Sequence, residues 1–106
     1  MGKISIKKGD IVLFKFPFSD VNKYRKRPCV VLSNPDDEGD IILARISKTK
    51  SSNNFIELNK HFFDFISYIK FNKIFTVNEN KLAEKIGELS NKEYDLLTSR
   101  IIEYMK

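Results

Sequence analysis

The sequence predicts an α+β protein: a mainly antiparallel, strongly bent sheet or small barrel, closed by one C-terminal helix. Three observations lead to this prediction. Short apolar runs alternate with polar residues along most of the chain, Gly, Pro and Asp separate these runs, and only the last segment has helical spacing. We expect a single domain over residues 1–106, since this length suits one small core.

The first strand is expected in IVLFKFPF, which follows Gly9 and Asp10. Alternation divides its side chains between two faces, one with Val12, Phe14, Phe16 and Phe18 and the other with Ile11, Leu13 and Lys15. Pro17 has no N–H for a ladder, so pairing must end, bulge or lie at an edge there. The polar residues 19–27 have no period, and we expect them to form a long loop of the kind that often carries function.

Two further strands are expected in CVVLS and DIILARIS, separated by the turn composition of NPDDEG. Within DIILARIS, one face changes from Ile41 and Leu43 to Arg45 and Ser47. Arg45 and Ser47 therefore point together from one end of the sheet, where this face meets solvent or a ligand.

The second half of the chain begins with a basic polar loop, KTKSSNN, and continues with short strands in NFIEL, SYIKF and KIFTV around the connector HFFDF. EKIGEL is a candidate for another strand. The last segment predicts an amphipathic helix, because Ser90 and Glu93 have the spacing of a capping box. Apolar side chains then recur at helical spacing, at Tyr94, Leu97, Ile101 and Tyr104.

Composition excludes several classes of protein. Hydrophobic residues make up 42% and charged residues 31%, as in ordinary globular chains. The apolar runs reach four residues, against the ~20 that cross a bilayer, and MGKISIKKGD lacks the apolar stretch of a signal peptide. Cys29 is a lone thiol that cannot form an internal disulfide, so we expect it to be buried in a protein of the reducing cytoplasm.

The positive charge is concentrated in the first half of the sequence. Residues 1–50 contain 11 Lys and Arg against 6 Asp and Glu, whereas residues 51–106 contain 8 of each. A patch of positive potential attracts polyanions by steering and by counterion release. The alternative is that the lysines simply keep the protein soluble.

Most motifs of catalysis are missing from the sequence. It has neither GxxxxGK[ST] nor GxGxxG. His61 stands beside Phe62 and Phe63, where a structural role is more common than catalysis. The acidic run PDDEGD departs from the calcium-loop spacing and suits a turn, so we expect neither a metal nor a cofactor.

The basic run KYRKR at residues 23–27 is the strongest functional signal. The fork of arginine suits phosphate, lysine supplies point charge, and Tyr24 offers a ring on which a base can stack. These properties together indicate single-stranded nucleic acid. Arg27 is the best fixed of the cations, since Pro28 restricts it to extended geometry.

The segments GDIVLFKFPFSD, KRPCVVLSN, DIILARISK and SYIKFNKIFTV, followed by a final helix, resemble the MazF/PemK family of bacterial toxins. These are the toxin half of type II toxin–antitoxin modules. The likeness runs from Gly9 to the last helix. It implies an SH3-like barrel of the CcdB/PemK type and a homodimeric, metal-independent, sequence-selective endoribonuclease that cleaves single-stranded mRNA. A cognate antitoxin with an acidic tail is the implied partner.

In this family an arginine of the RP motif and a Ser or Thr at the end of the ARIS-type strand form the catalytic pair. The resemblance carries these roles to Arg27 and Ser47; threonine is more usual at the second position, so Ser47 keeps the hydroxyl and lacks a methyl group. Attack of the ribose 2′-OH would leave a 2′,3′-cyclic phosphate and a 5′-OH. Asp20 is a candidate general base, with a turn residue as the alternative. The residues expected to bind RNA are Lys15, Ser19, Asp20, Lys23, Tyr24, Arg25, Lys26, Arg45 and Lys48.

Two other functions are compatible with the same residues. One is a member of this fold that binds RNA or a protein without cleaving, either a degenerate toxin or a gyrase poison like CcdB. The other is a structural SH3-like module, which leaves the basic loop unexplained.

Overall fold

The structure is a computed structural model that describes residues 5–17, 24–48, 54–58 and 67–106. These residues form an α+β fold, as the sequence predicts. In chain order the strands and the helix are β1 (Asp10–Pro17), β2 (Tyr24–Val31), β3 (Asp40–Ser47), β4 (Phe55–Leu58), β5 (Ser67–Asn78), β6 (Leu82–Glu88) and α1 (Asn91–Tyr104), with a 3-10 turn at Glu79–Lys81.

The six strands form one antiparallel sheet in the order β4-β5-β3-β2-β1-β6. Strands that follow each other in the chain pair, and so do strands that are far apart in the sequence, such as β1 and β6. Within the described ranges no ladder joins β4 to β6, so the hydrogen-bonded sheet is open between them. Closure into a small barrel stays a prediction.

The sheet is strongly bent, as predicted. Phe14 of β1 and Phe75 of β5 are three strand positions apart, which corresponds to about 14 Å in a flat sheet. Their ring centroids nevertheless lie 5.6 Å apart. The sheet therefore curls until side chains of β1 and β5 meet over one face.

Two strand boundaries differ from the sequence prediction. Residues 24–27, predicted to belong to a loop, are the first half of β2 and pair with β1, from Pro17 opposite Tyr24 to Phe14 opposite Arg27. The prediction of a loop there was wrong because these residues are polar and show no alternation. Their strand conformation comes from pairing with β1. SYIKF and KIFTV are a single strand, β5, and Asn72 between them lies in a ladder irregularity instead of a turn.

The turn between β2 and β3 is confirmed. The Asp36 carboxylate accepts hydrogen bonds from the backbone N–H groups of Glu38 and Asp40, both at 2.9 Å. Gly39 has φ of +83°, a conformation that side chains with a Cβ rarely adopt. An added Cβ would also meet the Glu79 carboxylate at 3.1 Å, so this position requires glycine.

Each face of the sheet carries its own core. The helix-side core packs Leu97 of α1 against residues such as Ile11, Val30 and Ile69. The concave core, on the opposite face, contains Val12, Phe14, Cys29, Val31, Ile41, Leu43 and Leu82. Cys29 is fully buried, as expected, and burial raises the pKa of its thiol to about 12.

Helix α1 begins with the predicted capping box. Ser90 Oγ accepts from the Glu93 N–H at 3.1 Å, and the Glu93 carboxylate accepts from the Ser90 N–H at 2.8 Å. Leu97 is completely buried, whereas Ile102 and Met105 are 60% and 75% exposed. Tyr94 and Ile101 pack against the helix-side core with Leu97, and the Tyr104 ring lies edge-on to Phe71 of that core, with the ring centroids 5.9 Å apart. No helix in the described part of the chain has the length and apolar character needed to span a membrane.

Candidate active site

Strand β2 positions Arg27 within the sheet. Arg27 lies opposite Phe14 in the β1–β2 ladder, and Pro28 lies opposite Leu13. Arg27 is half-buried and its Nε atom is fully buried. The backbone is therefore held by the ladder and the side chain by packing, which keeps the guanidinium pre-organised.

The register of β2 against β3 puts Arg27 and Ser47 on the same face of the sheet. The last paired residues are Cys29 and Arg45. Counting two residues further along both strands places Arg27 opposite Ser47, beyond the end of that ladder. Opposed residues of antiparallel strands have side chains on the same face. Arg27, Ser47 and Arg45 therefore share the face of the concave core, as the sequence parity of DIILARIS predicts for the latter two.

Sequence reasoning missed a further cation at this site, Lys70 of β5. Lys70 lies opposite Arg45 in the β3–β5 ladder and opposite Phe55 in the β4–β5 ladder. Only 6% of Lys70 is exposed. Buried lysines are uncommon in proteins, and the position of Lys70 opposite Arg45 makes it a second cation on this face and a candidate residue of the site.

A register shift creates the Arg45–Lys70 pair. Ala44 lies opposite Ile74, but Arg45 lies opposite Lys70, so residues 71–73 of β5 have no opposite residue on β3. Without this shift, Arg45 would lie opposite Lys73. The alternation of SYIKF does separate Tyr68 and Lys70 from Ile69 and Phe71, and this parity is the one sequence signal that could have found Lys70.

We call residues that lie opposite one another on neighbouring strands a row, and Tyr68 belongs to the row of Ser47. It lies opposite Ser47 on one side and opposite Glu57 on the other. Its ring packs edge-on against Phe55, with the ring centroids 5.2 Å apart. The row therefore joins a hydroxyl, a phenol and an arginine, next to a row with Arg45 and Lys70.

The electrostatics of this face are positive. Arg27, Arg45 and Lys70 are three cations in two neighbouring rows, and Glu57 is the acidic residue that the described ladders place in these rows. Arg45 is close enough to Cys29 to lower the pKa of the thiol, but the larger effect of burial raises it to about 12. The Cys29 thiol, which donates weakly to the Arg27 carbonyl at 3.9 Å, is thus neutral and unsuited to be a nucleophile.

The remaining predicted RNA-binding residues are placed less completely. Lys15 and Lys26 are exposed and lie opposite each other in the β1–β2 ladder, and Lys48 is exposed directly after β3. Tyr24 and Arg25 belong to β2, but their side chains are outside the described set. Outside the described residues altogether are Ser19, Asp20, Lys23 and His61.

The acidic turn between β2 and β3 brings three carboxylates together. Oxygen atoms of Asp36, Glu38 and Asp40 lie within 4.8 Å of one another. Backbone N–H groups, first that of Asp40 and then that of Glu38, hold the pKa of Asp36 below its usual value. The Asn78 amide donates to Asp40 at 3.2 Å. These hydrogen bonds show that the acidic residues form a turn, which agrees with the interpretation from sequence.

Fold and site together define a small antiparallel-sheet protein with a cationic face suited to a polyanion. Solved structures share this fold. MazF from Deinococcus radiodurans (form I) has a TM-score of 0.78 and 15% identity, with 97% of this chain and 98% of that chain covered. The MazE–MazF complex (form II) of the same organism has a TM-score of 0.82, 15% identity and 97% coverage of both chains. An endoribonuclease in complex with its cognate antitoxin, from a mycobacterial species, has a TM-score of 0.74, 13% identity and 94% coverage of both.

At these identities the structural likeness shows the fold alone. No curated protein sequence matches the chain significantly. A family model does match residues 7–105, that of the PemK-like, MazF-like toxins of type II toxin–antitoxin systems. The chain therefore belongs to this toxin family, as the resemblance of its motifs predicts.

Proposed function

We propose that this protein is a metal-independent, sequence-selective endoribonuclease that cleaves single-stranded mRNA in the cytoplasm. The observation that carries the proposal is the convergence of Arg27, Ser47, Arg45 and Lys70 on one face of the bent sheet. Membership of the MazF-like toxins supports it, as does the endoribonuclease activity named for two mycobacterial neighbours.

In the proposed reaction, the ribose 2′-OH attacks the adjacent phosphorus and loses its proton to a base. The bond from phosphorus to the 5′-oxygen breaks, and this oxygen takes up a proton. The products are a 2′,3′-cyclic phosphate and a 5′-OH, and negative charge develops on the non-bridging oxygens on the way. Asp20 stays the candidate base.

Arg27 has the main catalytic role in this proposal. Its planar guanidinium can donate two hydrogen bonds to the phosphate oxygens, and because it keeps its proton, it acts by electrostatics and positioning. Ser47 orients the phosphate or the attacking hydroxyl from the opposite strand. Arg45 and Lys70 add positive charge in a partly dry environment, where an ion interacts more strongly than in water.

Binding of the substrate involves the wider basic surface. We propose that Lys15, Lys26 and Lys48, together with Ser19 and Lys23 before β2 and Tyr24 and Arg25 at its start, contact the RNA backbone and bases. Exposed apolar residues of α1, such as Leu96 and Ile102, agree with a homodimer. The curl of the sheet over the concave core supports an SH3-like barrel.

A cognate antitoxin with an acidic tail is the proposed protein partner. Solved relatives of this fold include complexes with MazE and with a cognate antitoxin. An acidic segment would be attracted by the same cationic face and would compete with RNA. Undiminished RNA binding by the toxin–antitoxin complex would contradict this part of the proposal.

The first test is a cleavage assay on long single-stranded RNA in excess EDTA. Wild-type protein should give discrete cuts with cyclic phosphate and 5′-OH ends. Arg27→Ala should lose cleavage and keep part of its RNA binding, because the lysines remain. Arg100→Ala is the matched control, since Arg100 is exposed on α1, which packs on the face of the sheet opposite the candidate site.

The alternatives are separated by the same assay. Intact RNA with folded wild-type protein would overturn the endoribonuclease proposal. RNA that is bound but never cut would favour a non-catalytic member of the family. Cleavage that Arg27→Ala retains would leave a ribonuclease but refute the role of Arg27.

A further inference from the structure

A groove lies at the edge of the sheet beside the candidate active site. It has a volume of about 930 Å³ and runs between β1, β2 and the turn that joins β5 to β6. Three buried or half-buried apolar residues, Phe14, Val77 and Leu82, contribute to its walls, and three exposed lysines, Lys15, Lys26 and Lys81, line it as well. We refer to it as the lysine groove.

The lysine groove neighbours the site along β1 and β2. Phe14 lies opposite Arg27 in the β1–β2 ladder, and Lys26 precedes Arg27 in β2. By alternation Phe14 shares the face of Arg27, whereas Lys15 and Lys26 belong to the other face, so RNA that crosses Arg27 meets the groove at Phe14. Phe14 thus connects the groove with the face that carries the proposed catalytic residues.

The charge of the groove selects an anion. All three ionisable side chains among the described residues that line it are lysines. The turn that joins β5 to β6 supplies Lys81, which lies far in the sequence from the basic run at residues 23–27. Lys81 follows Asn80, and both are exposed, so a cation and an amide stand side by side at the rim.

The fold holds this rim in place. The Asn78 amide donates to the Glu38 carbonyl at 2.9 Å and to Asp40 at 3.2 Å. The Asn78 side-chain oxygen accepts from the Asn80 N–H at 3.0 Å. Because these bonds anchor the β5–β6 turn, Lys81 and Asn80 are presented from a fixed backbone.

We propose that the lysine groove binds a segment of the single-stranded RNA substrate that flanks the cleaved bond, with Lys81 contacting a phosphate and Asn80 contacting a base edge. This inference rests on the proposed function and extends it to a second part of the RNA. A volume in the range of ~300–1,000 Å³ accommodates a ligand the size of one or two nucleotides. Lysines neutralise phosphates, while apolar side chains and an amide receive a base, and this combination favours RNA over a uniformly acidic peptide.

The test measures RNA binding by fluorescence anisotropy with full-length protein. The probes are two RNAs that contain the mapped cleavage sequence, one of about 16 and one of about 4 nucleotides, each with a 2′-deoxy residue at the cut to prevent cleavage. Lys81→Ala should weaken binding of the long RNA by about 3-fold to 10-fold, and Lys81→Glu by more. The salt dependence of log K should fall by about 0.7 per lost phosphate contact.

The control is Lys92→Ala, which removes an exposed lysine of α1 outside the groove. It should bind both RNAs like wild type, and Lys81→Ala should bind the short RNA like wild type. The proposal is overturned if Lys81→Ala binds the long RNA normally, or if long and short RNA weaken equally. Lost binding of an acidic peptide by Lys81→Ala, with normal RNA binding, would assign the groove to a protein partner instead.

Failure of this inference is distinguishable from failure of the proposed function. If wild-type protein cleaves RNA but Lys81 has no effect, only the groove proposal fails. If wild-type protein never cleaves, the same anisotropy test is made with mixed-sequence single-stranded RNAs of the two lengths; Lys81-dependent binding of the long one would leave the groove proposal standing while the nuclease proposal fails. Asn80→Ala gives a second readout, a changed sequence preference among the mapped cuts at unchanged thermal stability.

Discussion

Arg45 of β3 lies directly opposite Lys70 of β5, and Lys70 is only 6% exposed. Two like charges on neighbouring strands repel each other, and burial of one of them adds a desolvation cost. Two neighbouring cations on one face attract an anion, so the pair suits the phosphate-binding role proposed for this face.

The first prediction concerns Lys70 and uses Lys73 as its control. Lys70→Met keeps the length and apolar stem of the side chain and removes the charge. We expect kcat/KM for RNA cleavage to fall by about 10²-fold, as for the loss of one pre-organised electrostatic group. Lys73→Met changes an exposed lysine of the same strand and should leave cleavage near the wild-type rate. Equal effects of both variants would contradict the role of Lys70.

The same two variants also test whether the charge of Lys70 contributes to the stability of the fold. If the charge of Lys70 serves the site and not the fold, Lys70→Met, which keeps the buried apolar stem, should unfold near the wild-type temperature. A large drop in Tm would show instead that Lys70 holds the sheet together.

The second prediction concerns the hydroxyl of Ser47. Ser47→Ala removes the group that lies opposite Arg27 by register, and we expect a loss of cleavage on the order of 100-fold. Ser47→Thr retains the hydroxyl and restricts its rotamers, so cleavage should be maintained or increased. Single-turnover kinetics on one mapped site measures both. Full activity of Ser47→Ala would remove Ser47 from the mechanism.

The third prediction compares two neighbouring leucines of α1. Leu97 is fully buried in the helix-side core, and Leu96 is 46% exposed. Leu97→Ala should lower the free energy of unfolding by about 2–5 kcal/mol, and Leu96→Ala should change it by less than about 0.5 kcal/mol. Urea denaturation followed by circular dichroism measures this difference. Equal destabilisation would mean that α1 packs on the sheet with a different face.

The fourth prediction concerns stability in acid. Hydrogen bonds from Lys7 at 3.1 Å and then from Lys85 at 3.2 Å hold the pKa of Glu88 below its usual 4.5. A lowered carboxyl pKa contributes stability above 4.5, and this contribution disappears as the pH falls through the lower pKa of the folded state. Glu88→Gln should therefore unfold at a lower temperature than wild type near neutral pH.

The gap between Glu88→Gln and wild type should narrow as the pH is lowered below 4.5. Thermal unfolding at a series of pH values measures this gap. Glu84→Gln, a change at an exposed position of the same strand, serves as the control. A gap that stays constant down to the most acidic pH would show that Glu88 acts through packing and not through its charge.

Sequence alone was sufficient where the determining interactions are local. The capping box of α1, the turn at Gly39, the alternation that directs Arg45 and Ser47 to one face, and the ordering of Arg27 by Pro28 all depend on residues close together in the chain. Such contacts are formed by neighbours, so their signals survive in the order of the residues. The family resemblance likewise depended on these local motifs.

The start of β2 and the unity of β5 were not evident from the sequence. Residues 24–27 are polar, and their strand conformation is imposed by β1 through the ladder. Strand pairing overrides local composition because its hydrogen bonds and side-chain contacts come from a different segment. The irregularity around Asn72 joins two apparent strands for the same reason.

By itself, the sequence determined a bent antiparallel sheet with a C-terminal helix, a basic first half and a fixed Arg27 near the end of a strand. Only the tertiary structure decided that Lys70 and not Lys73 stands opposite Arg45, that Arg27 and Ser47 belong to the same face of the sheet, and that Lys81 lines a groove with Lys15 and Lys26. The physical reason is that register and curl arise from non-local packing. A shift in one ladder and a bend in the sheet change which side chains meet without altering the local pattern that a sequence displays.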